Sequence, residues 1–192
     1  VLNLCMNKYG GFDHNIQTLR IVTSLENKYY KFFGLNLTVE TLDGLIKHNG
    51  PVKIPNLYNT ILKKNLFKNK IVFHAFPSLE AQVAAISDDI AYNNHDLEDG
   101  LRAGLFTIEK FNSIPFVSRW INKHVKNTKS FRREIIINQI VRELINVMVV
   151  DVINTTNKNL KKYNPQSIKD IYKQDYLIVD FSDKMKKVDK QI

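Results

Sequence analysis

The sequence predicts an all-α protein, and three observations support this prediction. The 192 residues include only 7 Gly and 5 Pro, and so few helix-breaking residues favour long helices over a fold with many turns. Apolar residues recur at intervals of three and four, as they do along one face of a helix. The sequence has no pattern of strands joined by tight turns and no glycine-rich phosphate loop after a strand. A P-loop or a dinucleotide-binding fold is therefore not expected.

In the first third of the chain, capping residues predict where helices begin. Asp13 can cap a helix over residues 14–31, because its carboxylate can accept a hydrogen bond from a backbone N–H of the first turn. Thr38 can cap a second helix that extends to residue 46. The leucines and isoleucines of residues 57–66 recur with helical spacing and predict a third helix.

Ser78 can cap the longest helix of this region, and Glu80 in its first turn has a favourable interaction with the helix dipole. The apolar stripe of this helix is predicted to consist of Leu79, Val83, Ile86, Ile90, Leu97, Leu101 and Leu105. Further helices are expected over residues 117–125, over residues 131–154, in a short stretch after Ser167 and over residues 182–188. In total the sequence predicts seven or eight helices.

The chain carries a formal net charge of +9, and its pI is near 9.5. Such a charge suits an anionic partner, which would be a nucleotide or a nucleic acid. A lysine-rich, solvated surface explains the same charge, and no nucleic-acid-binding signature accompanies it. Nucleic acid is therefore a possible partner but not the favoured one.

The single cysteine, Cys5, excludes an internal disulfide and a zinc site built from several thiolates. This suits a reducing compartment, and we expect a cytoplasmic protein. The N-terminal residues lack the pattern of a signal peptide. Polar residues interrupt the most apolar run, residues 135–153, which therefore predicts a buried helix and no membrane association.

One side of the longest predicted helix carries many polar side chains. Asp88, Tyr92 and Asp96 follow one another at intervals of four, and His95 and Asp99 fall on the same side. Carboxylates and imidazoles are ligands of divalent metals, and a phenol beside a carboxylate can hydrogen-bond a sugar hydroxyl. The spacing alone is more typical of a solvated acidic face.

The residues of this helix match a more specific pattern. Residues 87–104, with the sequence SDDIAYNNHDLEDGLRAG, resemble a highly characteristic segment of the bacterial dGTPases, which are triphosphohydrolases of the HD superfamily. Three other stretches resemble the same family in the same order. They are GGFDHNIQTLRIVTSLE at residues 10–26, GLNLTVETLDGLIKHNGP at residues 34–51 and IVRELINVMVVDVINTT at residues 140–156.

The resemblance implies an HD-domain-like helical bundle that hydrolyses a deoxynucleoside triphosphate, dGTP in the name-giving members, to the deoxynucleoside and inorganic triphosphate. In such proteins a His, a His-Asp pair and a later Asp hold a divalent metal, and Mg²⁺ or Mn²⁺ is expected here. Asp88 matches the later Asp. The implied mechanism is metal-assisted attack of an activated water on the α-phosphorus.

The resemblance also assigns substrate contacts to this chain. Tyr92 and Asp96 match positions near the deoxyribose, where close packing would select against a 2′-hydroxyl. His14 matches a histidine near the phosphates, and Arg132 and Arg133 fall near basic residues that contact phosphate.

The imidazole of His48 is expected to serve as a helix-end group that interacts with the C-terminal dipole.

One departure from the family concerns the metal ligands. In the family the first metal His and the His-Asp pair come before the stretch that matches residues 10–26, and here only nine residues precede Gly10. We therefore expect residues 1–192 to form a single, partial HD-type domain that lacks the upstream ligands and ends before the far C-terminal region. Since one Asp cannot hold a catalytic cation tightly, this piece is expected to be inactive alone.

The sequence leaves three functions open. The chain could complete a triphosphohydrolase together with the missing segment, in the same chain or as a separate one, and assemble as a homo-oligomer. It could be a non-catalytic relic or a regulatory nucleotide-binding subunit. The net charge of +9 keeps a helical nucleic-acid-binding module as a weaker alternative.

Overall fold

The computed structural model describes residues 1–53, 58, 61–62, 71–124 and 132–190, and these residues form helices and loops without a β-strand. The all-α prediction is therefore confirmed. Within the described residues the α-helices are α1 (Leu2–Cys5), α2 (His14–Arg20), α3 (Val39–Lys47), α4 (Leu79–Arg102), α5 (Pro115–His124), α6 (Arg133–Tyr163), α7 (Ile168–Tyr172) and α8 (Asp183–Asp189). Shorter helical turns are the 3-10 segments Asn7–Tyr9 and Ile108–Ser113 and the π-helical turn Ile21–Leu25.

The chain folds into two compact units. The first unit consists of Val1–Gln82 and Pro165–Leu177, and the second consists of Val83–Asn164 and Ile178–Ile192. The expectation of one partial domain over residues 1–192 stays a prediction. No helix of the described part is long and apolar enough to cross a membrane.

Each unit has its own apolar core. The core of the first unit consists of Leu19, Leu42, Ile46, Val52, Tyr58, Leu62, Ile71 and Phe73. The core of the second unit contains Ile90, Leu97 and Leu101 from α4, and Ile137, Ile140, Val141, Leu144 and Met148 from α6. These cores hold α3 and α4 in place.

The helix starts that were predicted from capping residues are confirmed. The side-chain oxygens of these caps accept backbone N–H groups three residues on: Asp13 from Ile16 at 3.0 Å, Thr38 from Thr41 at 3.3 Å and Ser78 from Ala81 at 3.3 Å. At α7, Ser167 and Asp170 form a complete capping box. Local side-chain chemistry therefore determines where these helices begin.

The predicted end of the first long helix is wrong. A helix was expected over residues 14–31, but α2 ends at Arg20 and the π-helical turn ends at Leu25. The Thr23 hydroxyl donates to the carbonyl of Leu19 at 2.7 Å, which competes with regular helical bonding. The chain then folds back, and the N–H of Leu35 donates to the carbonyl of Val22 at 2.8 Å.

The predicted end of α6 is also wrong, because this helix is longer than expected. A helix was expected over residues 131–154, but α6 continues to Tyr163. Asn164 ends it in a left-handed conformation with φ of 43°, and its N–H donates to the carbonyl of Leu160 at 2.8 Å. The stretch 57–66 lies outside the described residues except for Tyr58, Ile61 and Leu62, which are helical.

Candidate functional site

Helix α4 presents an exposed polar face and a buried apolar face. The side chains of Asp88, Tyr92 and Asp96 are exposed, and Tyr92 is 65% exposed. They extend over about 12 Å of the helix axis. His95 and Asp99 are exposed on the same side, as the spacing predicts. A molecule that lies along this face would meet two carboxylates with a phenol between them.

The opposite face of α4 holds the helix in the core of the second unit. Ile90, Leu97 and Leu101 are buried, as predicted for the apolar stripe. The predicted stripe is wrong at two positions, since Val83 is 49% and Leu105 is 75% exposed. Leu105 lies beyond the last residue of α4.

Asn94 is a core residue of α4 that the sequence did not indicate. Its side chain is fully buried, and its Nδ2 donates to the carbonyl of Ile90 at 2.8 Å and to the Met148 sulfur at 3.3 Å. The Met148 contact connects α4 to α6 and restricts the rotation of α4 about its axis. The exposed row of Asp88, Tyr92 and Asp96 is therefore presented by a rigid element.

The charges near the C-terminal end of α4 are partly neutralised within the helix. The Arg102 guanidinium donates to Glu98 Oε1 from Nε at 2.9 Å and from its terminal nitrogen at 2.6 Å. His95 Nδ1 lies 3.8 Å from Glu98 Oε2. Among the described residues, the side chains of Asp88, Tyr92 and Asp96 have no hydrogen-bond or ion-pair partner, so their polar atoms are available to a ligand.

The fit of a divalent metal depends on the number of ligands that the chain brings together. Within residues 1–53, 71–124 and 132–190, and at the isolated described positions, no three His, Cys, Asp or Glu side chains are close enough to hold a metal. Asp88 is the candidate ligand on α4, and one carboxylate does not meet the usual requirement of a divalent cation. The described residues therefore do not form a complete metal site.

The two arginines at the start of α6 have different surroundings. Arg132 precedes the helix and is exposed. The terminal guanidinium nitrogen of Arg133 donates to the carbonyl of Leu101 at 2.8 Å, next to the last residue of α4. Hydrogen bonds from the Glu109 backbone and from the Thr107 side chain lower the pKa of the Glu109 carboxyl, and the nearby charge of Arg133 lowers it slightly further. Part of the Arg133 side chain is therefore committed to the structure, whereas Arg132 faces solvent.

His14 belongs to the first unit and is the first residue of α2. Its exposed side chain contacts two consecutive residues that follow α3. The ring centroids of His14 and His48 are 5.8 Å apart with an edge-to-face angle of 73°. The amide nitrogen of Asn49 lies 3.4 Å from His14 Nε2, which is a long hydrogen bond.

The residues on either side of His14 connect it to the core. The Asp13 carboxylate caps α2, and the Asn15 side chain interacts with the buried phenol of Tyr58. Burial raises the pKa of Tyr58, the nearby Asp13 charge raises it further, and the hydrogen bond from Asn15 opposes both effects. His14 is therefore an exposed imidazole on a firmly held backbone.

The sequence did not indicate the contact between His14 and residues 48–49. His48 was expected at a helix end, and this is confirmed, because its Nδ1 lies 2.8 Å from the carbonyl of Leu45 in the last turn of α3. The signal that could have found the contact is that both stretches, FDHN and KHNGP, belong to the segments that resemble one family. Two such segments can supply parts of one site.

Comparison with curated proteins identifies close relatives over this chain. It is 51% identical over 191 residues to a deoxyguanosinetriphosphate triphosphohydrolase-like protein of Pelagibacter ubique, covering all of this chain and 52% of that relative. Proteins of the same name from Agrobacterium fabrum and Parvibaculum lavamentivorans are each 43% identical, over 203 and 188 residues. The chain spans about half the length of these relatives. No family model matches the chain.

Proposed function

Because the chain belongs to the family of deoxyguanosinetriphosphate triphosphohydrolase-like proteins, we propose that it supplies one wall of a site that hydrolyses a deoxynucleoside triphosphate, with dGTP as the first candidate. The products would be the deoxynucleoside and inorganic triphosphate. The observation that carries the proposal is the exposed, uncommitted row of Asp88, Tyr92 and Asp96 on α4. A deoxynucleotide substrate is consistent with the cytoplasmic location expected from the sequence.

The row on α4 has the chemistry to hold a deoxyribose. The Asp96 carboxylate can accept a hydrogen bond from a sugar hydroxyl, and the Tyr92 ring can pack against an apolar sugar edge. Such packing would leave no space for a 2′-hydroxyl and would select against ribonucleotides. Asp88, two helical turns before Asp96, would be one ligand of the divalent metal, Mg²⁺ or Mn²⁺, whose other ligands would come from outside the described residues.

The phosphates would be held by basic side chains. Arg132 has an exposed guanidinium that can pair with phosphate oxygens. Arg133 would contribute with the part of its guanidinium that does not bond Leu101. His14 would donate a hydrogen bond from its imidazole to a phosphate oxygen. These donors would neutralise charge as water attacks the α-phosphorus.

The test is a chimaera in which this chain replaces its aligned segment in the Pelagibacter ubique relative. We expect the chimaera to release inorganic triphosphate from dGTP with Mg²⁺ or Mn²⁺. Asp88→Asn should lower the rate by at least about 100-fold. Loss of a residue that only orients a metal ligand already costs about 10- to 100-fold, and loss of the ligand itself should cost no less. The matched control is Glu80→Gln, which removes an exposed carboxylate from the first turn of the same helix and should leave the rate unchanged.

Two outcomes would overturn the proposal. One is the absence of triphosphate release by the chimaera from all four deoxynucleoside triphosphates, and the other is undiminished release by Asp88→Asn. Binding of dGTP by calorimetry without any release would instead favour the regulatory nucleotide-binding subunit. Discrimination between dGTP and GTP that is lost in Tyr92→Ala would locate the sugar contact on α4.

A further inference from the structure

The end of α3 is anchored unusually firmly in the first unit. Lys47, its last residue, is fully buried and pairs with Asp43 at 2.8 Å. The Lys47 ammonium also lies 3.4 Å from the carbonyl of Val72 and 4.8 Å from the centre of the Tyr172 ring. The contacts with Val72 and Tyr172, which lie on two other segments of the first unit, fix the position of the residues that come directly after Lys47.

One hydrogen bond fixes the orientation of the His48 imidazole and indicates its tautomer. Its Nδ1 lies 2.8 Å from the carbonyl of Leu45. Because a carbonyl only accepts hydrogen bonds, Nδ1 must carry a proton in this arrangement. The ring is half-buried and meets the His14 ring edge to face, so it limits the orientations that His14 can adopt.

Asn49 makes a polar contact with the imidazole of His14. Its Nδ2 donates to His14 Nε2 over 3.4 Å, and a ring nitrogen that accepts a hydrogen bond carries no proton. In neutral His14 the proton must then lie on Nδ1, because the partner of one ring nitrogen determines the state of the other. Nδ1–H is thus the donor left for a ligand.

We propose that His48 and Asn49 are positioning residues, which orient the His14 imidazole and select the tautomer with the proton on Nδ1, the atom that donates to the substrate phosphate. The proposal rests on the proposed role of His14 at the phosphates. His48 limits the ring orientation through its edge-to-face contact, and Asn49 determines the tautomer through its hydrogen bond. The buried Asp43–Lys47 pair supports both residues by fixing the end of α3.

The direct test is long-range ¹H–¹⁵N NMR of the 192-residue chain labelled with ¹⁵N-histidine, at a pH where imidazoles are neutral. The signals of His14 are identified by their loss in His14→Gln. We expect His14 to show a protonated Nδ1 and a bare Nε2. Asn49→Ala should shift His14 toward the Nε2–H tautomer that free imidazole side chains favour, and Asn154→Ala, an exposed residue of α6, should leave it unchanged.

A near-isosteric variant keeps the test independent of folding. In Asn49→Asp the side chain has the same shape but can only accept, so His14 should carry its proton on Nε2. His48→Gln should retain a donor for the carbonyl of Leu45 and broaden the His14 signals, because the ring contact is lost. A wild-type His14 with its proton on Nε2, or an unchanged tautomer in both Asn49 variants, would overturn the proposal.

The catalytic measurement separates this proposal from the proposed function. In the chimaera, Asn49→Ala should lower kcat/KM by about 10-fold, as is typical for a residue that orients another. His14→Gln should remove the sensitivity to Asn49, because the two act through one group. If the NMR result holds but His14→Gln leaves hydrolysis unchanged, the positioning stands and the role of His14 at the phosphates fails.

Discussion

At the level of single residues, two glycines with similar backbone conformations face different surroundings. Gly34 and Gly50 have φ of +71° and +99°, in the region that side chains rarely adopt. A Cβ at Gly34 would lie 2.5 Å from the backbone of Val22 and Thr23, whereas a Cβ at Gly50 would meet open space. Gly34 therefore combines a backbone requirement with close packing, and Gly50 has the backbone requirement alone.

Alanine at these two positions separates the two effects. Gly50→Ala should lower the free energy of unfolding by about 1 kcal/mol, because of the left-handed conformation alone. Gly34→Ala should lower it by about 3 kcal/mol or more, because the backbone of residues 22–23 must also move. Urea denaturation measures both values. Equal losses in the two variants would contradict the packing of Gly34 against that backbone.

Residue-level function was predictable to the extent that it depends on one helix. The exposure of Asp88, Tyr92 and Asp96 follows from helical periodicity, so the sequence sufficed. The contact of His14 with His48 and Asn49 joins residues that are 34 and 35 positions apart, and periodicity carries no information about it. The burial of Asn94 depends on Met148, which belongs to another helix.

At the level of elements, the buried ion pair of α3 is the contact most sensitive to change. The side chains of Lys47 and Asp43 are 1% and 8% exposed. Lys47→Met or Asp43→Asn alone should cost about 3–5 kcal/mol of stability, because a charge is left buried without its partner. The double variant Asp43→Asn/Lys47→Met should lie within about 1 kcal/mol of the wild type, since both charges are removed.

A surface pair of the same spacing is the control for this prediction. Glu98 and Arg102 are also separated by four residues, but their side chains are 22% and 40% exposed. Glu98→Gln should cost less than about 1 kcal/mol, because solvent screens this pair. Denaturation of the five proteins, wild type included, gives all the values. A double variant as unstable as either single variant would refute the assignment.

The pH dependence of stability gives an independent measure of the same pair. Burial raises the pKa of the Asp43 carboxyl above 3.8, the Lys47 ammonium opposes the shift, and Glu40 adds to it. A raised pKa means that the folded chain binds this proton more tightly than the unfolded chain. The stabilising contribution is then fully present below pH 3.8 and is lost as the pH rises through the raised pKa.

We therefore expect the stability of the wild type, relative to that of Asp43→Asn/Lys47→Met, to decrease as the pH rises from below 3.8 toward neutral pH. The double variant lacks both titrating groups, and every other carboxyl is common to the two proteins. Thermal or urea denaturation across this range measures the difference. A difference that grows with pH would mean that the ion pair dominates and that the pKa of Asp43 is lowered.

Helix starts with a capping side chain were predictable from the sequence, whereas the ends of α2 and α6 were not. A start depends on a capping side chain three residues from its N–H partner, as at Asp13, and both residues are visible in the sequence. The end of α2 depends on the return of the chain, in which Leu35 bonds Val22. The last turns of α6 are polar, yet the helix continues to Tyr163. Within these turns the Asn159 side chain donates to the carbonyl of Ile178 at 2.9 Å, a contact between residues far apart in the sequence.

At the level of the whole molecule, a large net charge opposes the self-association that an exposed apolar surface favours. The formal net charge of +9 makes copies of the chain repel one another. The second unit has an apolar groove of about 420 Å³, in which Val83, Val149 and Ile153 are 49%, 40% and 53% exposed. Contiguous apolar surface of this kind favours association once the repulsion is screened.

We therefore predict that the isolated chain self-associates and that added salt increases the association. The screening length falls from about 10 Å at 0.1 M salt to about 3 Å at 1 M, so repulsion weakens while apolar contact persists. Sedimentation velocity at several salt concentrations measures the change. The double variant Val149→Ser/Ile153→Ser should reduce association, because it removes exposed apolar area from the groove.

The control is Val150→Ser, which changes the neighbouring residue on α6. Val150 is 48% exposed, about as much as Val149, but it does not line the groove. Its replacement should leave the association unchanged, whereas a general effect of surface hydrophobicity would reduce it equally. Association that weakens with salt would show that opposite charges, and not the apolar groove, bring the copies together.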